Sequence, residues 1–233
     1  MINLTHLEES IYQACYFTES AGVLTIKNEE ESSQGTLSYV EMITSGTWIN
    51  LSNKILKEGS CIYQKEDRAL GRISFRRDCD GICLLQLGNR KLLLIIEIKS
   101  GFNEVKKKAF EQLVASYVKT RCILQTIEGY DPADYEEMGL LISYPPSEST
   151  VITNSTSLID IKTAAIAPTP LDKVNVSNAT KLRVDQEVTL DLHDYRVDAC
   201  HVNPAFFNSS LHVKYIPVTD KVSSEKINLD AII

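Results

Sequence analysis

Residues 78–101 read DCDGICLLQLGNRKLLLIIEIKSG. An apolar run through LLQL meets a second one, LLLII, across Gly88-Asn89, which is the pattern of a buried β-hairpin. The second run is apolar enough for a core, yet it ends in Glu97-Ile98-Lys99. Glycine at the first central position of a two-residue loop suits a type II′ turn. That turn pairs Leu87 with Arg90 and, counted outward, sets Asp80 opposite Glu97; a longer loop would move Asp80 off the pair. Strand residues two apart share a face, so Lys99 accompanies Glu97 while Ile98 points into the core. Directly opposed residues have Cβ atoms about 4.5–5.5 Å apart, so two carboxylates there repel each other. A hard divalent cation, which takes several carboxylate oxygens, offsets the repulsion, and a lysine one strand step away adds positive charge.

Outward from the hairpin, the spacing predicts helices on both sides. Residues 3–20 read as a short helix. From Thr36 to about Lys57, Leu37, Glu41, Thr44, Trp48, Leu51 and Ile55 fall on one stripe at helical spacing. Residues 61–77 are basic and mixed, as for a strand entering the sheet. Asn103–Thr120 places Val105, Ala109, Leu113 and Tyr117 at steps of four, and MGLLISY (138–144) is a short buried strand closed by Pro145-Pro146. The first 145 residues therefore read as an α/β domain. Residues 150–233 turn rich in Thr, Ser, Asn, Val and Asp, with runs such as VTLDLHDYRVDA that suggest strands with one wet face. A boundary is expected near 145–155, with 1–150 as a core and 151–233 as a β-rich extension or a continuation of the same domain.

The chain has 233 residues, 43% hydrophobic and 24% charged, which excludes a disordered protein. No apolar run reaches the roughly 18–20 residues of a membrane span. The N-terminus lacks a basic n-region and a clean apolar h-region, so the expectation is an intracellular protein, cytoplasmic or nuclear, with no signal peptide. Six scattered cysteines without a CxxC pair indicate neither a zinc site nor a disulfide framework. The six Asn-x-Ser/Thr sequons are then polar composition rather than glycosylation sites. The net charge of −7 is unevenly spread: Lys65 to Arg121 holds 13 Lys+Arg against 7 Asp+Glu, an asymmetry that points to a polyanionic ligand.

Asp80, followed on the next strand by Glu97-Ile98-Lys99 and then by a helix, resembles the PD-(D/E)xK nuclease superfamily. The resemblance implies a restriction-endonuclease-like core, with a central mixed sheet flanked by helices, over about residues 36–145. It further implies a divalent-metal-dependent nuclease that hydrolyses phosphodiesters, DNA rather than RNA. Asp80 and Glu97 would hold Mg²⁺ or Mn²⁺, and Lys99 would orient or activate the attacking water. Members often carry an acid on the helix before the hairpin, for which Glu41 is the candidate third metal ligand. Relatives of recombination exonucleases carry Gln-x₃-Tyr after the lysine; here Gln112 precedes Tyr117 by one residue more, and Gln112 is kept as a catalytic auxiliary. Arg76, Arg77, Lys106, Lys107 and Lys108 are the candidate nucleic-acid contacts.

Two further (Asp/Glu)-x-Lys triplets occur. Glu104-x-Lys106 falls in the helix, and Asp160-x-Lys162 lacks both an upstream Asp at hairpin distance and a following amphipathic helix. His193, Cys200 and His201 beside Asp191, Asp194 and Asp198 scatter over both strand faces and make a poor metal site. The alternative function is a catalytically inactive protein on the same scaffold that binds nucleic acid or another protein. Assembly as a homo-oligomer or with a protein partner would run through the C-terminal region.

Overall fold

A computed structural model of the chain describes residues 17–28, 37–51, 53–60, 73–102, 105–146, 169–197, 202–219 and 222–233. The side chains of 17–19, 53–54, 59–60 and 106–107 lie outside that description. The hairpin is its centre. Strands β3 (Gly81–Leu87) and β4 (Arg90–Lys99) pair antiparallel from Leu87↔Arg90 to Gly81↔Ile96, the register expected from a two-residue turn. Gly88 takes φ +57°, and Asn89 is not among the residues of positive φ, as a type II′ turn requires. From Leu92 to Lys99 every β4 residue is buried on both faces, which explains the unbroken apolar run.

Around this hairpin the chain is α/β, with a mixed eight-stranded sheet and few helices. The order is β1 (Phe17–Lys27), β2 (Tyr39–Leu51), β3, β4, β5 (Glu136–Ser143), β7 (Ser210–Pro217) and β6 (Glu187–Asp191); β8 (Ser224–Asn228) pairs with β2. β5 runs parallel to β4 and β7 parallel to β5, so each junction needs a crossover. The first carries a π-helical turn (Val105–Ala109) leading into helix α2 (Phe110–Leu124), and the second carries α3 (Pro170–Asp185). α1 (Asn53–Ser60) follows β2. One core lies between the sheet and α2, with Ile82, Leu84, Leu93 and Ile95 facing Phe110, Leu113, Val114 and Tyr117. The other lies on the opposite face, where Leu92, Leu94, Ile96 and Ile98 meet Leu24, Met42, Trp48 and Ile227.

Several expectations change. The helix expected over Thr36–Lys57 is the strand β2 followed by α1. Burial along β2 alternates, with Val40, Met42, Thr44 and Trp48 inside. Its Val, Ile and Thr content favours a strand, and the apolar stripe at helical spacing was a coincidence of two periods. Of the helix expected over 3–20, residues 3–16 lie outside the described residues and 17–20 open β1. Of the strand expected over 61–77, residues 73–77 form a turn and irregular chain. The C-terminal third contributes β6, β7 and β8 to the same sheet, and it also contains α3. Thr169-Pro170-Leu171-Asp172 starts that helix as a capping box with proline in the first turn. In VTLDLHDYRVDA only the first residues are strand; 192–196 form a turn in which Arg196 has φ +55°. Asn175 and Asn178, both within sequons, are buried on α3. No described helix is long and apolar enough to cross a membrane.

Candidate functional site

The site is the open end of the hairpin. β3 ends its regular ladder at Gly81↔Ile96, and Asp80 continues it differently. Its N–H donates to Ile96 O at 3.0 Å, and its side-chain Oδ2 accepts the N–H of Ile98 at 2.7 Å. The carboxylate takes the place a backbone carbonyl would hold in the ladder, and so lies against β4 between Glu97 and Lys99. Glu97 and Lys99 share the α2 side of β4, fully buried, with Lys99 Nζ 2.5 Å from Glu97 Oε1. Such a pair keeps its charges in a low-dielectric setting only because each partner compensates the other's lost hydration.

Helix α2 braces the strand that delivers Asp80. Gln112 Nε2 donates to Asp78 O at 2.9 Å, and Ser116 Oγ accepts Cys79 N–H at 2.8 Å. Lys119 Nζ donates to Arg77 O at 3.0 Å and pairs with Asp78 Oδ1. These residues follow at steps of four and three, one face of the helix. Beside them Glu111 is fully buried; Arg77 Nε lies 3.5 Å from its Oε2, and Asn175 Nδ2 of α3 donates to its Oε1 at 2.9 Å. Cys79 Sγ donates to Gly81 O at 3.2 Å. Burial pushes the Cys79 thiol up to about 12, and the nearby carboxylates of Glu97 and Asp80 push in the same direction.

Glu97 and Lys99 are thus paired, and Asp80 is bonded to the amide of the residue between them; the rung Asp80↔Glu97 expected from the turn is not among the pairs, which end at Gly81↔Ile96. Gln112 faces the same segment, although its Nε2 is spent on the backbone of Asp78; its Oε1 is buried and accepts nothing from the described residues. Glu41 is elsewhere. It sits on β2 rather than on a helix, 3.4 Å from Lys226 of β8. β2 reaches the open end of the hairpin at Leu51↔Ile82, ten residues and about 33 Å of strand further on. Tyr117, the other half of the expected Gln-Tyr motif, points away from the site: its hydroxyl donates to Glu137 Oε2 at 2.5 Å and accepts Asn208 N–H at 2.9 Å. Arg76 is exposed, Arg77 is engaged by Glu111, and Lys108 is half-buried, while the side chains of Lys106 and Lys107 lie outside the described residues. Asp160, Lys162, Cys200 and His201 lie outside them as well. Cys79, Cys83 and Cys122 are free thiols.

Ser116, Lys119 and Glu111 were not foreseen. Their signal is polarity at helical spacing on a helix buried almost all round, a pattern that only the burial itself makes legible.

Among the described residues no group of three His, Cys, Asp or Glu side chains is placed to hold a metal. Asp80 and Glu97 offer hard carboxylate oxygens, of which Asp80 Oδ2 is engaged by the Ile98 amide and Glu97 Oε1 by Lys99. That set fits Mg²⁺ or Mn²⁺, which bind through one or two carboxylates and complete their shell with water and phosphate oxygens. Comparison with protein-family models, with curated proteins and with solved structures finds no match for this chain.

Proposed function

We propose that the protein is a divalent-metal-dependent nuclease with a restriction-endonuclease-like core, acting on DNA in preference to RNA. The observation that supports this reading is the buried Glu97–Lys99 pair at the open end of the hairpin, with the Asp80 carboxylate bonded to the Ile98 amide between them. Asp80 and Glu97 hold the cation, which when bound supplies positive charge to the phosphodiester and makes water a nucleophile near neutral pH. Lys99 places an ammonium beside that centre, where it orients the attacking water and stabilises charge that develops on the phosphate. Arg76, exposed on the segment that leads into Asp80, supplies backbone attraction for a polyanion. The acidic remainder of the chain limits non-specific binding, which suits a nuclease that is guided, partnered or selective for structure.

The first measurement is a melting curve with and without Mn²⁺. Wild type gains melting temperature as Mn²⁺ rises, and Asp80→Asn does not, because an ion that binds only the native state stabilises by mass action. Incubation of plasmid, linear duplex and single strands with Mg²⁺ then asks for cleavage, which Lys99→Ala removes in protein shown to be folded by circular dichroism. Cleavage at the wild-type rate by that variant sinks the assignment.

Complete burial of both Glu97 and Lys99 favours a second reading, a non-catalytic module in which the ion pair serves the fold and a surface binds nucleic acid or protein. Under it, Mn²⁺ moves neither protein's melting temperature.

A further inference from the structure

Asp80 owes its direction to residues upstream of it, and those residues are held by α2. Lys119 is 1% exposed. A buried ammonium retains its charge only where acceptors replace its water. Here the acceptors are the Arg77 carbonyl and the Asp78 carboxylate, both on the three residues that precede Asp80. Ser116 holds the Cys79 amide from the next turn of the same helix. Asp80 itself is tied to β4 by its own N–H and by Oδ2. These bonds fall on consecutive residues, 77 to 80, so a shift at Asp78 or Cys79 swings the Asp80 carboxylate off the Ile98 amide.

We propose that Lys119 is a positioning residue for Asp80: it clamps residues 77–78 to α2 so that the Asp80 carboxylate meets β4 beside Glu97. Its functional consequence rests on the metal-dependent reading above; the clamp itself is a property of the protein without metal. In this role Lys119 acts through the residues it holds, by the Arg77 carbonyl and the Asp78 carboxylate.

The test uses the full chain as wild type, Lys119→Met, Lys119→Arg and Arg121→Met, and reads two quantities. One is amide hydrogen exchange at Ile98, with Leu94 as the internal reference within the ladder. The other is Mn²⁺ affinity from loss of the free-ion electron paramagnetic resonance signal. In Lys119→Met the Ile98 amide exchanges about tenfold faster or more relative to Leu94, since its acceptor is no longer held. Mn²⁺ affinity falls by about tenfold, the equivalent of ~1.4 kcal/mol. Lys119→Arg, which keeps a cation and several donors at this position, is expected to return both readouts to within about threefold of wild type. Arg121→Met removes another buried cation from the same helix, the partner of Glu137; it lowers stability but leaves the Ile98-to-Leu94 ratio and Mn²⁺ affinity at wild-type values. If Lys119→Met does not fold, Asp78→Ala, which removes the carboxylate acceptor of Lys119 at a partly exposed position, shows the same faster exchange at Ile98. Exchange at Ile98 as slow as wild type in folded Lys119→Met, or in Asp78→Ala where that is the variant that folds, overturns the clamp. Faster exchange at Ile98 in a protein that binds no Mn²⁺ upholds the clamp and overturns the metal reading instead.

Discussion

Glu97 and Lys99 are the residues on which chemistry and stability pull against each other. Each is fully buried, and Lys99 Nζ lies 2.5 Å from Glu97 Oε1. Desolvating two ions costs several kcal/mol each, and their attraction returns most of it only while both are present. Lys99→Met leaves a carboxylate in the core beside Asp80 and is expected to cost about 3–5 kcal/mol. Glu97→Gln combined with Lys99→Met removes both charges at similar volume, and is expected to recover a good part of that loss. Urea unfolding of wild type, the single and the double variant checks it. A double variant no more stable than Lys99→Met shows that the two side chains are not energetically coupled. The same burial explains why this pair was legible in the sequence at all. Two charges at the end of a strand otherwise apolar on both faces have to be explained by each other, whereas Glu41, half-buried on a mixed strand, carried no such constraint.

At the scale of elements, the hairpin was readable because its turn and its strands agree. Gly88 at φ +57° opens a two-residue loop, and every rung from Leu87↔Arg90 to Gly81↔Ile96 follows from it. A residue with a Cβ resists that conformation, so Gly88→Ala is expected to cost about 1 kcal/mol. Asn89, with φ outside the positive region, tolerates alanine within about 0.5 kcal/mol. Equal losses at the two positions, measured as urea midpoints, mean that the turn is not of type II′. β2 was misread for the opposite reason. Its Val, Ile and Thr content favours a strand while an apolar stripe also falls at helical spacing, and pairing with β3, so close at Gly46 that an added Cβ would come within 2.3 Å of Gln86 O, separates the two periods. α3 was missed although its capping box was in plain view, because the surrounding Thr, Ser and Asn content suggested strands. The clamp from α2 was invisible because Gln112, Ser116 and Lys119 only acquire a common target once the hairpin is folded against them.

Across the whole molecule, strands from both ends of the chain close the sheet around β3 and β4, and cores on its two faces leave the central strands dry. Dry centres make the fold sensitive to alkali. Cys83 on β3 is fully buried in the core away from α2, and burial pushes its thiol well above the ordinary 9.0. The unfolded chain releases that proton near pH 9 while the native chain keeps it, so the native state binds more protons above that pH. A group raised in this way contributes its full stability below its unfolded value, and that contribution is lost as pH climbs towards the folded one. Each such thiol gives a slope of up to about 1.4 kcal/mol per pH unit. Stability under reducing conditions is therefore expected to be level in Cys83 terms up to about pH 8 and to fall beyond pH 9. Cys83→Ala loses about 1 kcal/mol at pH 7 through the small cavity it leaves. It then declines less steeply, because one proton no longer separates the two states. Urea midpoints from pH 7 to 10.5 for both proteins decide the matter: parallel curves would place the alkaline loss on other groups, such as the buried hydroxyls of Tyr117 and Tyr195, and converging curves place it on Cys83.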